Sequence, residues 1–176
     1  FVFITHKDNP VESLTAEQVQ AIYTGEITNW KELGGDDCEI RAFQREENSG
    51  SQTTMENLVM RGKPMLPSNV VNVIEGMGLL VETVGEYENS PLSIGYTFRY
   101  YIDTLYKNEN IKVLRINGIE PSDENLRSGV YPFATHYFGV IRKGDEDQIG
   151  GKFLGWILSE EGQRCIRQAG YYPLYE

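Results

Sequence analysis

Short apolar segments that are typical of strands alternate with amphipathic segments that are typical of helices along the whole sequence. The chain opens on the apolar run Phe1–Ile4, and further strand-like runs occupy residues 38–43, 92–96 and 111–116. Between them, apolar residues recur three and four positions apart, which is the spacing of one helix face. Because strands that alternate with helices pack as a sheet covered by helices, the sequence predicts an α/β fold.

The first predicted helix has signals at both of its ends. Thr15 and Gln18 have the spacing of a capping box, in which each side chain bonds the backbone N–H of the other residue. Gly25 follows the last periodic residue and suits the left-handed conformation that ends many helices. The sequence therefore predicts a short helix that begins after Thr15 and stops at Gly25.

Three more predictions concern the rest of the chain. Ser68 is expected to cap a helical stretch that runs to residue 74, and residues 131–141 are predicted to form one long strand. Residues 147–169 are predicted to form a helix, a break and a second helix, with Ser159 as the cap of the second helix and Gly170 as its stop.

Size and charge limit the classes of partner. A chain of 176 residues without repeats or a Pro/Gly/Ser-rich linker is predicted to form a single domain over residues 1–176. The formal net charge of −10 disfavours binding to nucleic acid or to anionic membranes. No apolar run approaches the roughly 18–20 residues of a transmembrane helix, so no membrane span is expected.

The loop that follows the second strand carries the candidate site. Arg45 offers a planar fork that matches two oxygens of a tetrahedral oxyanion, and Ser49 and Ser51 offer hydroxyl groups. Gly50 has no side chain to obstruct a ligand, and the helix start that follows leaves backbone N–H groups unpaired. Glu47 is expected to pair with Arg45. Such a loop binds anions through short-range hydrogen bonds, although the same pattern also fits a plain helix cap.

Other chemistries have weaker support. His6 and His136 lack metal-ligand spacing, and the sequence carries neither a GxSxG elbow nor a Walker A motif, so no metal, cofactor or catalytic residue is expected. Cys38 and Cys165 fit two free thiols or one disulfide, and their spacing does not decide between these states.

Several segments, in the same order along the chain, resemble the substrate-binding proteins of phosphate ABC transporters. Arg45 with Ser49-Gly50-Ser51 resembles the family's Arg-x-x-x-Ser-Gly-Thr phosphate motif, with Ser51 in place of the usual Thr. The other similar segments are residues 10–30, Ser93-Ile94-Gly95-Tyr96, Tyr131-Pro132-Phe133, residues 153–163 and residues 170–174. The resemblance implies phosphate as ligand of Arg45, Ser49, Gly50 and Ser51.

The resemblance also implies an architecture and a role. The fold would be that of a type II periplasmic binding protein, with a mixed sheet flanked by helices and a ligand cleft between two lobes. Residues 1–176 would form the second lobe with the C-terminal crossover strand and helices, without the N-terminal part of the first lobe.

The role would be non-catalytic phosphate binding outside the cytoplasm, in the periplasm or as a lipid-anchored protein, with delivery to the membrane permease of the transporter. Two alternatives stay open. One is an anion-sensing domain of the same fold, and the other is a binding protein for sulfate, molybdate or tungstate.

Overall fold

A four-stranded mixed sheet forms the centre of the protein in the computed structural model, which describes residues 1–67, 73–86 and 91–175. The strands, in chain order, are β1 (Val2–His6), β2 (Ser13–Leu14), β3 (Arg41–Ala42), β4 (Gln44–Arg45), β5 (Val73–Ile74), β6 (Ser93–Thr97), β7 (Ile111–Val113) and β8 (Arg115–Ile116). The α-helices are α1 (Ala16–Thr24), α2 (Gly50–Thr54), α3 (Met77–Glu86), α4 (Asp123–Arg127), α5 (Ile149–Ile157) and α6 (Glu160–Gln168). The alternation of strands and helices that the sequence predicts is confirmed.

The central sheet has the strand order β3-β6-β1-β7. Strand β1 pairs antiparallel with β6 and β7, whereas β3 pairs parallel with β6. Two smaller sheets are parallel pairs, β2 with β8 and β4 with β5. All residues of β1 and β6 are buried, which explains why β1 opens on the unbroken apolar run Val2–Ile4 instead of the alternation of a half-exposed strand.

The core beneath the sheet is rich in aromatic side chains. The ring of Tyr96 lies 5.5 Å from that of Phe1, 6.3 Å from that of Phe3 and 5.6 Å from that of Tyr23, measured between centroids. Tilted and edge-on contacts of this kind suit the charge distribution of aromatic rings. The cluster therefore holds Tyr96 in one orientation at the centre of the molecule.

The helix-end predictions are confirmed. Thr15 and Gln18 form both bonds of the capping box, at 3.1 Å and 2.8 Å. Gly25 ends α1 in the left-handed region with φ of 83°. Ser159 caps α6 through a bond to the N–H of Gly162, and Gly170 follows that helix with φ of 90°.

The predicted long strand over residues 131–141 is wrong. Tyr131 and Phe133 are buried, but in the described part of the chain residues 134–141 pair with no strand, and Tyr137 and Phe138 are exposed. A strand needs a neighbouring backbone to satisfy its N–H and C=O groups, and this segment has none in the described ranges. The alternation of apolar residues in this segment indicates an extended backbone, but it does not show whether a partner strand lies beside it.

The predicted helix from Ser68 to residue 74 falls partly outside the described residues, since residues 68–72 are not described. Its last two residues, Val73 and Ile74, form β5 instead of a helix. They pair in parallel with Gln44 and Arg45, and this tertiary pairing outweighs the local helical pattern.

A broad apolar face is exposed near the C-terminal end. Helix α5 is strongly apolar, yet none of its residues is buried. Large hydrophobic side chains from this helix, from its C-cap residue and from the segment before it share the exposure, namely Tyr137, Phe138, Val140, Ile149, Phe153, Trp156 and Leu158. These seven residues are called the apolar face below. Exposed hydrophobic clusters of this size usually mark a surface that another polypeptide covers.

Cys38 is half-buried and Cys165 is exposed, and both are free thiols. Of the two states that the sequence left open, the structure therefore has the reduced one. Among the described helices, none is long and apolar enough to cross a membrane.

Candidate oxyanion-binding site

The four residues predicted to bind an oxyanion lie together where β4 gives way to α2. Arg45 is the last residue of β4, Ser49 is the N-cap of α2, and Gly50 and Ser51 form the first turn. Asn48 has a positive φ of 67°, which turns the chain sharply into the helix. The structure therefore confirms the predicted order of strand, polar loop and helix.

The helix start has the donors that an anion requires. Ser49 Oγ accepts from the N–H of Gln52 at 3.2 Å, which completes the cap. In the described part of the chain, the N–H groups of Gly50 and Ser51 have no hydrogen-bond acceptor. A Cβ added to Gly50 would meet no atom within 4 Å, so the space beside this backbone is open. Ser51, in contrast, is only 3% exposed.

Arg45 is buried, and several groups fix its guanidinium. Its Nε donates to the carbonyl of Ile74 at 2.9 Å, and its Nη1 lies 3.6 Å from the sulfur of Met77. The Nε and Nη2 groups also donate to the two carboxylate oxygens of Glu46, at 3.1 Å and 2.7 Å. The fork of Arg45 therefore already binds a planar anion in the bidentate manner.

The partner of Arg45 is Glu46, and the predicted pairing with Glu47 is wrong. The side chains of neighbouring residues point to opposite faces within a strand, but β4 ends at Arg45 and this alternation no longer applies. Glu46 can therefore turn back along the guanidinium, while Glu47 is exposed. Hydrogen bonds from Arg45 are the main cause that lowers the pKa of the Glu46 carboxyl below its ordinary value of 4.5.

Two residues next to the loop had no predicted role. The backbone N–H of Arg45 donates to Tyr96 Oη at 3.0 Å, and the Tyr96 hydroxyl in turn donates to Gln52 Oε1. Gln52 Nε2 donates to Glu56 Oε1 at 3.0 Å. Tyr96 and Gln52 are both buried, and burial raises the pKa of the Tyr96 hydroxyl well above its ordinary range. The sequence shows a glutamine directly after Ser49-Gly50-Ser51, but the burial of Gln52 that marks this network is visible only in the structure.

An open groove of about 780 Å³ runs beside Arg45. Its lining contains neither Ser49, Gly50 nor Ser51, but it includes Arg45 and, from the first turn of α2, Gln52. The charged residues that line it are mostly acidic, namely Arg45, Glu46, Glu47, Glu56 and Lys63. This groove is therefore a poorer place for an anion than the helix start.

Metal ligation has no support in the ranges 1–67, 73–86 and 91–175, where no group of three or more His, Cys, Asp or Glu side chains could hold a metal ion. His6 lies beside Asp8, whose backbone N–H donates to its Nδ1 at 3.3 Å.

Comparison with curated proteins gives relatives over almost the full chain. The phosphate-binding protein PstS of Borreliella burgdorferi is 27% identical over 174 residues, which are 97% of this chain and 61% of that protein. PstS of Bacillus subtilis is 29% identical over 169 residues, which are 95% of this chain and 52% of that protein. The chain thus spans about half to three-fifths of the length of these relatives.

Solved structures show the same relation. A phosphate ABC transporter substrate-binding protein of Clostridium perfringens, solved with bound phosphate, is 30% identical with a TM-score of 0.78. The match covers 99% of this chain and 68% of that one. A phosphate transport receptor of Vibrio cholerae, 24% identical with a TM-score of 0.77, has the same fold. The predicted type II periplasmic-binding-protein-like architecture is therefore confirmed.

A family model, the PBP superfamily domain, matches residues 1–161. Together with the Clostridium perfringens structure, this match confirms the resemblance that the sequence motifs indicated. The chain belongs to the PBP superfamily and, within it, to the family of phosphate ABC-transporter substrate-binding proteins.

Proposed function

We propose that this chain binds a tetrahedral oxyanion, phosphate in the first place, through Arg45, Ser49, Gly50 and Ser51. The observation that carries the proposal is the convergence of a buried guanidinium and two acceptor-free backbone N–H groups on one seven-residue loop. A helix N-terminus supplies partial positive charge, and Arg45 supplies a full one. Ser49 contributes its hydroxyl, and Gly50 leaves room for close approach.

Short-range hydrogen bonds reconcile this site with the acidity of the chain. A net charge of −10 repels anions at long range, but that repulsion is screened beyond about 8–10 Å at physiological salt. Local donors act within about 3 Å, where screening is ineffective. Arg45 is also oriented by Ile74 and Met77, so its placement does not depend on Glu46 alone.

The proposed role is that of the non-catalytic, solute-binding component of a phosphate import system outside the cytoplasm. Family membership supports this role, since relatives named phosphate-binding protein and a relative solved with phosphate align over nearly the whole chain. In this role the protein hands its ligand to a membrane permease.

The proposal extends to the arrangement of lobes. Residues 1–176 would provide one wall of a two-lobed cleft together with the C-terminal helices of the other lobe. The apolar face supports this arrangement, because it lies on α5 and the segment before it, and the matched relatives are longer than this chain. The remainder of the first lobe would cover the apolar face in the complete fold.

The lobe arrangement predicts that the apolar face contributes little to the stability of this chain. Phe138→Ala and Phe153→Ala should each lower the free energy of unfolding by about 1 kcal/mol or less, because both rings are mostly exposed. Phe3→Ala, which removes a fully buried ring, should cost about 3–5 kcal/mol. Urea denaturation gives the free energy of unfolding of all three variants. Losses at Phe138 or Phe153 as large as that at Phe3 would show that these rings already belong to a closed core.

The oxyanion proposal predicts a large effect of Arg45. Arg45→Ala should weaken phosphate binding about 10- to 100-fold, since it removes a positive charge and the guanidinium N–H groups that Glu46 does not occupy. The phosphate affinity of Arg45→Lys should lie between those of Arg45→Ala and the wild type, because lysine keeps the positive charge but lacks the planar guanidinium. Isothermal titration calorimetry gives the dissociation constants.

A matched control separates the role of Arg45 from the loss of a positive charge in general. Arg115→Ala removes an exposed arginine from β8 and should leave the affinity unchanged. Equal phosphate affinity of Arg45→Ala and the wild type, with both proteins folded, would end the oxyanion proposal.

The ion pair of Arg45 and Glu46 predicts a pH dependence. Because the folded-state pKa of Glu46 is lowered, its stabilising contribution is present above the ordinary value of 4.5 and is lost as pH falls through the folded-state pKa. The stability difference between the wild type and Glu46→Gln, about 0.5 kcal/mol at neutral pH, should therefore shrink in acid. Glu47→Gln changes an exposed neighbour and should leave the pH dependence of the free energy of unfolding as in the wild type. Parallel pH profiles for the wild type and Glu46→Gln would contradict the pairing.

A further inference from the structure

We propose that Tyr96 and Gln52 are positioning residues that hold the two parts of the oxyanion site, Arg45 and the start of α2, at a fixed separation. The inference rests on the proposed function for its ligand, but its geometry stands on its own. One hydroxyl, Tyr96 Oη, accepts from the backbone N–H of Arg45 at 3.0 Å and donates to Gln52 Oε1. It therefore joins the strand that carries the guanidinium to the helix that carries the free amides.

The network reaches the N-cap through Gln52. The backbone N–H of Gln52 donates to Ser49 Oγ at 3.2 Å, while its side-chain Nε2 donates to Glu56 Oε1 at 3.0 Å. Gln52 is thus bonded through its backbone to the cap and through its side chain to Tyr96 and Glu56. Any movement of Gln52 would displace Ser49 and the first turn of α2 relative to Arg45.

Tyr96 can act as a fixed point because close packing restricts its ring. It is fully buried on the inner strand β6, and the rings of Phe1, Phe3 and Tyr23 pack against it. Pre-organised donors bind an anion better than mobile ones, since no ordering is needed when the ligand arrives. The core of the protein therefore sets the distance between Arg45 and the helix start.

Tyr96→Phe tests the inference because it removes only the hydroxyl. In the ligand-free protein, the amides of Arg45 and Gln52 should exchange with solvent faster than in the wild type, since the loop loses its bridge. Phosphate affinity, measured by calorimetry, should fall about tenfold.

Tyr23→Phe is the matched control. Tyr23 is also fully buried in the same aromatic cluster, and its hydroxyl donates to the carbonyl of Phe43 at 3.3 Å instead of to the loop. This variant should keep the wild-type exchange of Arg45 and Gln52 and an affinity within about twofold of the wild type. Its urea denaturation shows how much stability the loss of a buried hydroxyl costs in this core.

A double-mutant cycle tests whether the two residues act through one bond. The variant with both Tyr96→Phe and Gln52→Leu should bind phosphate about as weakly as the weaker of the two single variants, because the shared hydrogen bond is lost only once. Additive losses would mean that Tyr96 and Gln52 act separately, and the proposed coupling would be wrong.

The outcomes distinguish this inference from the proposed function. Faster exchange in Tyr96→Phe but not in Tyr23→Phe supports the positioning role even if the wild type binds no phosphate, a result that would overturn only the function. Identical exchange and affinity in the two tyrosine variants would overturn the positioning role while the phosphate site remains.

Discussion

The hydroxyl of Tyr96 is the contact on which the geometry of the candidate site depends. It lies on β6, a buried inner strand of the sheet, and bonds the end of β4 and the first turn of α2. Because surrounding aromatic rings fix Tyr96, the packing of the core is transmitted to a polar loop. Polar loops are usually the most mobile part of a domain. Here the hydrogen bonds of Tyr96 tie the loop to the sheet and restrict its motion.

Charge explains why the order of this loop matters. The protein as a whole is acidic, and Glu46 already binds the fork of Arg45, so an anion gains nothing from long-range attraction. Affinity must come from donors that are already aligned when the ligand arrives. Two backbone N–H groups and one guanidinium meet that requirement only when strand and helix keep their separation. Family membership and the geometry of the loop both support the proposed function.

Local signals in the sequence predicted much of this structure. The capping box of Thr15 and the arrangement from Arg45 to Ser51 both depend on neighbouring residues, and both were predicted correctly as structure. Pairing over long distances was not predictable in the same way. The strand expected at residues 131–141 lacks a partner in the described ranges, and the hydroxyl of Tyr96 meets residues 51 and 44 positions away. Local sequence patterns report neither the absence of a partner strand nor a hydrogen bond between residues far apart in the chain.

The most direct measurement is a titration of phosphate, with sulfate in parallel, into the isotope-labelled chain, followed by backbone amide NMR shifts. We predict saturable shifts that centre on the amides of Ser49, Gly50 and Ser51 and that are larger for phosphate than for sulfate. NMR also detects millimolar binding, which is the range that we expect if this chain provides one wall of a cleft, as proposed above. Saturating phosphate that leaves these three amides unmoved, or shifts that centre on the acidic groove beside Lys63, would contradict the proposed oxyanion site.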